Sequence, residues 1–166
     1  MPKFSPGTND LREAMELYSD LIYSIALSHL RYKADAEDVL QEVFLLYHSK
    51  SPVFESEAAR KSWLIKTAVF KCRQFNDQPF NRNTERRDEM TITDMVSFDS
   101  PAESQVFKAV MELKEKYRIP LYMRCILGLS GAETAQALGL TENNVNVRVN
   151  RAKGMIKRKL GGEYFE

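Results

Sequence analysis

The chain has 166 residues, 43% hydrophobic and 28% charged, enough for one medium or two small domains with real cores and too apolar for disorder throughout. Its two cysteines, Cys72 and Cys125, lie far apart with no second cysteine or histidine at metal spacing, which argues against a disulfide framework and a zinc site; both are expected as small core residues. The net charge of +1 conceals an asymmetry: 10 basic against 11 acidic residues over 1–77, 3 against 6 over 78–104, and 11 against 6 over 105–166.

No apolar run approaches the length of a membrane span, and the opening MPKFSPGTND has no apolar signal core. A cytoplasmic protein without direct membrane insertion is expected. His29 and His48 are isolated, with no acid or nucleophile placed beside them by motif, so solvated or core histidines are expected rather than catalytic ones. No enzyme, cofactor or metal is expected.

In chain order, Asn9 or Asp10 to about Arg31 carries Leu11, Met15, Tyr18, Ile22, Ile25 and Ala26 near helical spacing, a first helix. A second runs from about Asp35 to His48, with Ala36, Val39, Leu40, Val43, Phe44 and Tyr47 on one side. Its outer face holds Glu37, Asp38, Gln41, Glu42 and Leu45. A leucine ringed by acids and an amide is either an ordinary surface residue or the centre of a small docking patch.

After a turn with Pro52, Ser56 to about Asn76 forms a third helix, buried through Leu64, Ile65, Ala68, Cys72 and Phe75. On its reverse side Trp63, Thr67, Phe70 and Gln74 fall together, flanked by Lys66 and Arg73. Aromatics interleaved with cations suit single-stranded DNA, because bases stack on rings while basic groups track phosphates. The structural alternative is that both rings pack within the domain.

From Gln78 to Ser100 the chain is acidic and aperiodic, the pattern of a flexible linker. Ser100-Pro101-Ala102-Glu103 then reads as a capping box with proline at the first helical position, opening a second domain. Ile119-Pro120 lies inside a helix of that domain, as a kink or an early turn.

The last stretch, LSGAETAQALGLTENNVNVRVNRAKGMIKRKL, reads as a helix-turn-helix with a basic second helix. Ser130 and Glu133 form a capping box, Ala135 is the small crossing point, Gly139 stops the first helix, Leu140 faces inward and Thr141 caps the next. Val145, Val149, Ala152 and Ile156 form its buried stripe. Asn143, Asn146, Val147, Asn150 and Arg151 point away from it. Asparagine pairs with adenine, arginine with guanine, and an aliphatic group meets a thymine methyl. Val147 is either such an apolar contact or an ordinary exposed hydrophobic, and the motif's bland counterpart is a helical hairpin with a solvated basic face.

Three motifs, D-A-E-D-x-x-Q-E-x-F from Asp35, W-L-x-x-x-A from Trp63 and L-G-L-T-E-x-x-V-x-x-R-x-x-R-A from Leu138, occur in order with a linker between. In this arrangement the chain resembles the extracytoplasmic-function sigma factors, group IV of the sigma-70 family. The resemblance implies an all-α protein of two small helical domains: a region 2-like domain over 1–77, a linker over 78–100, and a region 4-like helix-turn-helix domain over 101–166.

It also implies partners: core RNA polymerase, through the clamp helices of its largest subunit and the flap of the second largest, promoter DNA, and an anti-sigma factor. Asp38, Gln41, Glu42 and Leu45 are then the polymerase-binding residues. Phe54, Lys61, Trp63, Lys66, Phe70, Lys71 and Arg73, with the loop Ser51 to Glu57, engage the minus-ten element. Asn143, Asn146, Val147, Arg148, Asn150 and Arg151 read the minus-thirty-five element. The chain departs from the family pattern at Phe70, where many relatives carry asparagine, and at Gln74, where an acid is common. The other functional class open to these residues is a helix-turn-helix operator-binding regulator without sigma activity.

Overall fold

The computed structural model describes residues 8–78 and 98–161. Every regular element among them is helical, as the all-α expectation requires, and no strand occurs. The chain forms two compact units, residues 1–89 and 90–166. The linker reading of 78–100 lies mostly outside the described residues.

In the first unit, α1 (Thr8–His29), α2 (Lys33–Lys50) and α3 (Glu57–Asp77) pack against one another. The buried apolar stripes are Ala14, Tyr18, Ile22, Ile25 and Ala26 on α1, whose last turn from Ile25 to His29 is buried all round, Ala36, Val39, Val43, Phe44 and Tyr47 on α2, and Leu64, Ile65, Ala68, Val69 and Cys72 on α3. Each set recurs at three- and four-residue intervals, the period at which side chains share a helix face. The α1 stripe departs from the sequence reading at its start: Ala14 is buried, whereas Met15 is 44% exposed. Phe75 is half-buried rather than core.

α2 ends on Ser51, whose positive φ of 45° is tolerated while its hydroxyl donates to the carbonyl of His48 at 3.0 Å. The Ser56 hydroxyl then caps α3 by accepting from the amide of Ala59 at 3.1 Å, satisfying one of the first-turn donors that have no helical partner.

The second unit comprises α4 (Pro101–Glu112), α5 (Glu115–Leu121), a π-turn (Tyr122–Ile126), α6 (Gly131–Leu138) and α7 (Glu142–Leu160). Ser100 caps α4 by accepting from the Glu103 amide at 3.2 Å, but the Glu103 carboxylate accepts from the Asp99 amide, one residue before the place a full capping box requires. Pro120 is buried inside α5 and the chain widens into the π-turn directly after it. Without an N–H, proline cannot continue the hydrogen-bond ladder of an ordinary helix. Cys125, on this turn, is exposed, so the core expectation holds for Cys72 alone.

The helix-turn-helix formed by α6 and α7 follows its sequence signals closely. Ser130 and Glu133 exchange both capping-box hydrogen bonds at 3.0 Å. Gly139 adopts φ 68°, where a β-carbon would be strained, and Thr141 accepts from the Asn144 amide at 3.0 Å. Val145, Val149, Ala152 and Ile156 meet Ala109, Val110, Leu121, Tyr122 and Ala135 in one core, with Leu140 packed against it.

One polar atom in this unit is anomalous. The Thr134 hydroxyl is completely buried and has no hydrogen-bond partner among the described residues. Thr134→Val keeps the shape and removes the unsatisfied group, so it should stabilise the helix-turn-helix unit by about 1 kcal/mol. A higher urea midpoint at unchanged slope checks this; a lower midpoint refutes it.

Candidate functional site

The outer face of α2 is built by the same periodicity that buries its other side. With Val39, Val43 and Tyr47 turned inward, Asp38, Gln41 and Glu42 are exposed and Leu45 is 66% exposed. Leu45 does not stand alone. With Leu11 and Met15 of α1 and Leu40 and Phe44 of α2 it lines a groove of about 350 Å³. Sequence periodicity assigned Leu11 and Met15 to the core because a wheel shows the apolar side of a helix, not how far its neighbours extend over it. Glu42 also reaches across to Lys71 of α3, at 4.0 Å.

On α3 the two aromatics that share a wheel position separate. Trp63 is half-buried and packs edge-on against Tyr47 (centroids 5.7 Å apart) and Phe54 (6.1 Å), and Tyr47 and Phe54 are themselves stacked. Phe54, expected at the minus-ten element, is 6% exposed and belongs to this cluster, so its ring is not presented to a base. Phe70 is 56% exposed, on a face with exposed Lys66, Arg73 and Gln74. Lys71, next to it, is half-buried, and Lys61, two and a half turns earlier on the opposite side of the helix, is half-buried too.

Beneath the Trp63 cluster lies a group that the sequence did not single out. Arg60, one turn before Leu64, is wholly buried, and it donates to Asp10 at 2.9 Å, Glu13 at 3.0 Å and Glu57 at 2.8 Å. Its guanidinium lies 5.8 Å from the Tyr18 ring centroid. The Tyr18 hydroxyl donates to Glu57 and that of Tyr47 to Asp10. Burial opposes the charge on Arg60, but the surrounding acceptors raise its pKa and keep it protonated. Burial and their carboxylate partners push both tyrosines up to about 12. Although burial works against it, Glu57 is held below the ordinary carboxylate range by Tyr18 and Arg60. The cluster ties the first turn of α1, the last turns of α2 and the start of α3 to one point.

On α7, Asn143, Asn146, Asn150 and Arg151 are exposed, and Val147 is 37% exposed. Arg148 is half-buried on the flank, its Nε donating to Asn144 Oδ1 at 2.8 Å. Lys157 and Arg158 are exposed near the end, as is Lys159, which is paired with Glu112 of α4. A second apolar groove of about 490 Å³ lies between α4 and the π-turn, lined by Val106, Phe107, Val110, Leu121, Cys125 and Ile126, with Phe98 tilted against Phe107.

No helix of the described residues is long and apolar enough to cross a membrane, and no cluster of candidate metal ligands occurs among them.

Comparison with known proteins supplies the frame for these surfaces. Residues 14–76 match the model for Sigma-70 region 2 and residues 104–156 that for Sigma-70, region 4. The chain is 29% identical over 144 residues to the ECF RNA polymerase sigma factor SigM of Mycobacterium tuberculosis H37Rv, covering 84% of this chain and 71% of the relative. It is 24% identical over 156 residues to the ECF RNA polymerase sigma factor SigX of Bacillus subtilis, covering 87% and 80%. Its fold matches that of the sigma factor RpoE, solved in complex with the anti-sigma factor NepR from Bartonella quintana, with a TM-score of 0.70 at 19% identity over 94% of this chain and 99% of that one. With region 2 and region 4 matched in order and covering most of the described helices, the chain belongs to the sigma-70 family, as an alternative sigma factor of the extracytoplasmic-function class.

Proposed function

We propose that the protein binds core RNA polymerase through the outer face of α2, using Asp38, Gln41, Glu42 and Leu45 against the clamp helices of the largest subunit, and directs initiation at its own promoters. The observation that carries this is Leu45, 66% exposed among polar neighbours and continuous with an apolar groove that the fold leaves uncovered. A regulator that binds only duplex DNA has no use for that face. The groove beside α4 has the apolar character that the flap of the second largest subunit requires. A regulatory initiation factor of this kind works where polymerase is, in the cytoplasm.

The basic side of α3, with Lys61, Trp63, Lys66, Phe70, Lys71 and Arg73, engages the minus-ten element, and α7, through Asn143, Asn146, Val147, Arg148, Asn150 and Arg151, reads the minus-thirty-five element. Within the first set Phe70 carries the stacking, because Trp63 is held edge-on in an intramolecular cluster while Phe70 is open. A protein of this fold, the sigma factor RpoE, is solved in complex with the anti-sigma factor NepR, which supports an anti-sigma partner here.

Run-off transcription with purified core polymerase tests the central reading: promoter-dependent transcripts support it, and duplex binding without initiation replaces it with an operator-binding regulator. Phe70→Ala should leave upstream duplex binding unchanged while reducing permanganate reactivity of unpaired thymines, consistent with a stacking contribution of about 1 to 3 kcal/mol. A lowered melting temperature with normal permanganate reactivity would instead make Phe70 structural.

A further inference from the structure

Two groups of side chains meet under the start of α3, and Tyr47, in the last turn of α2, belongs to both. Its ring is wholly buried, stacked on Phe54 and edge-on to Trp63. Its hydroxyl donates to Oδ2 of Asp10, and Oδ1 of the same carboxylate accepts from Arg60 at 2.9 Å. Arg60 also donates to Glu57, the first residue of α3, at 2.8 Å. One side chain thus connects a buried charge cluster, rooted in the first turn of α1, to the aromatic group that underlies the loop before α3 and the α3 surface.

The tyrosine hydroxyl is not there for packing. Phenylalanine would fill the same space, and a hydroxyl carried into the interior is costly unless it is paired. Here it is paired with a carboxylate that a buried arginine already holds in place, so the ring is anchored at its far end as well as along its faces. What the ring carries is exposed on the other side. Phe54 is the buried residue of the loop over 51–56, while its neighbours Val53 and Glu55 are exposed, and Trp63 is half-buried.

Resting on the promoter reading above, we propose that Tyr47 is a positioning residue for promoter opening: anchored to Asp10 through its hydroxyl, it holds Phe54 and Trp63 and so presets the minus-ten surface before DNA arrives. Tyr47 is buried and touches no base; it acts through the two rings it carries. A surface that its ligand must first order gives up part of the binding free energy, whereas one supported from beneath keeps it for the contact itself. Strand separation draws on that contact, so a loosened support slows opening.

Tyr18 supplies the matched comparison. Its hydroxyl donates to Glu57 in the same charge cluster, but its ring lies against Arg60 rather than in the aromatic group. Tyr47→Phe and Tyr18→Phe each remove one hydroxyl from the cluster and keep the ring. The test assembles each full-length variant with saturating core polymerase on a promoter that the wild type opens, at a temperature where circular dichroism shows all three proteins fully folded. Permanganate reactivity of unpaired thymines gives the rate of opening. Trp63 is the sole tryptophan of the chain, so intrinsic fluorescence of the unbound proteins reads the support directly.

Tyr47→Phe should open the promoter about tenfold more slowly, the factor that corresponds to one hydrogen bond's worth of positioning, with Trp63 emission shifted to the red and more readily quenched by acrylamide. Tyr18→Phe should open it at the wild-type rate with unchanged emission. Equal slowing by the two variants overturns the proposal, because the loss then follows the stability of the cluster. Slowed opening in Tyr47→Phe with unaltered Trp63 emission and quenching overturns it as well, since the aromatic group is then not the route. A wild-type rate for Tyr47→Phe removes the positioning role and leaves the sigma reading intact, whereas a wild-type protein that opens no promoter with core polymerase removes both.

Discussion

Arg60→Leu should destabilise the region 2 unit by about 3 kcal/mol, the largest single-residue effect expected outside the apolar core. The side chain is wholly buried and serves three carboxylates, of which Asp10 is only 11% exposed. Removing the cation leaves that carboxylate desolvated, with the Tyr47 hydroxyl in place of a full charge. Glu13 and Glu57 are 54% and 44% exposed and can turn to water, which keeps the loss at the lower end of the range for broken buried ion pairs. A reduced urea midpoint at unchanged slope measures it. Adding Asp10→Asn to Arg60→Leu should recover part of the loss, since the stranded charge is gone. A loss well under about 1 kcal/mol would mean that water replaces the arginine at little cost.

The same cluster gives region 2 a pH dependence on both sides of neutrality. Tyr18 and Tyr47 hold their protons up to about 12 in the folded state, whereas in the unfolded chain they lose them near 10. Their contribution is therefore complete below about pH 10 and lost as pH rises toward 12. Glu57, lowered in the folded state, has the opposite sign: its contribution is present above the ordinary carboxylate pKa and lost as pH falls through the folded value. Tyr18→Phe should flatten the alkaline limb in a series of urea midpoints against pH. An alkaline limb unchanged in that variant would separate the effect from this tyrosine.

Leu45→Glu should weaken binding to core polymerase by about 2 to 4 kcal/mol, a factor of roughly 30 to 1,000. A leucine at the centre of a docking patch contributes by leaving water, and glutamate in its place puts an unpaired charge into a desolvated contact. The fold should tolerate the change because the side chain is already 66% exposed. Fluorescence anisotropy with labelled protein and purified core reads the affinity, and an unchanged circular dichroism melt shows that the helix survives. Equal affinities for Leu45→Glu and wild type would place the polymerase contact elsewhere.

The parts of this protein that depend on local chemistry are legible along the chain. Helix period, the serine and threonine caps, the left-handed turn at Gly139 and the basic excess of the C-terminal part all express interactions within a few residues, so a linear reading reaches them. The buried stripe of α7 and the exposure of Asp38, Gln41, Glu42 and Leu45 follow from one helix's periodicity in the same way.

What depends on neighbours distant in sequence was not legible there and came from the packing of the helices. Trp63 and Phe70 share a wheel position, yet Trp63 packs against Tyr47 and Phe54 while Phe70 is left open, because the loop before α3 folds over one end of that face and not the other. Met15 sits at a core register but is 44% exposed, and with Leu40, Phe44 and Leu45 of α2 it lines a groove instead of the core. Arg60 is the clearest case. The sequence did not single it out, because an arginine on the buried side of a helix has meaning only with its partners, and two of them, Asp10 and Glu13, lie about fifty residues earlier in the chain. Burial of a charge is set by three-dimensional pairing, because the cost of desolvation is met only where opposite charges and hydrogen-bond partners converge.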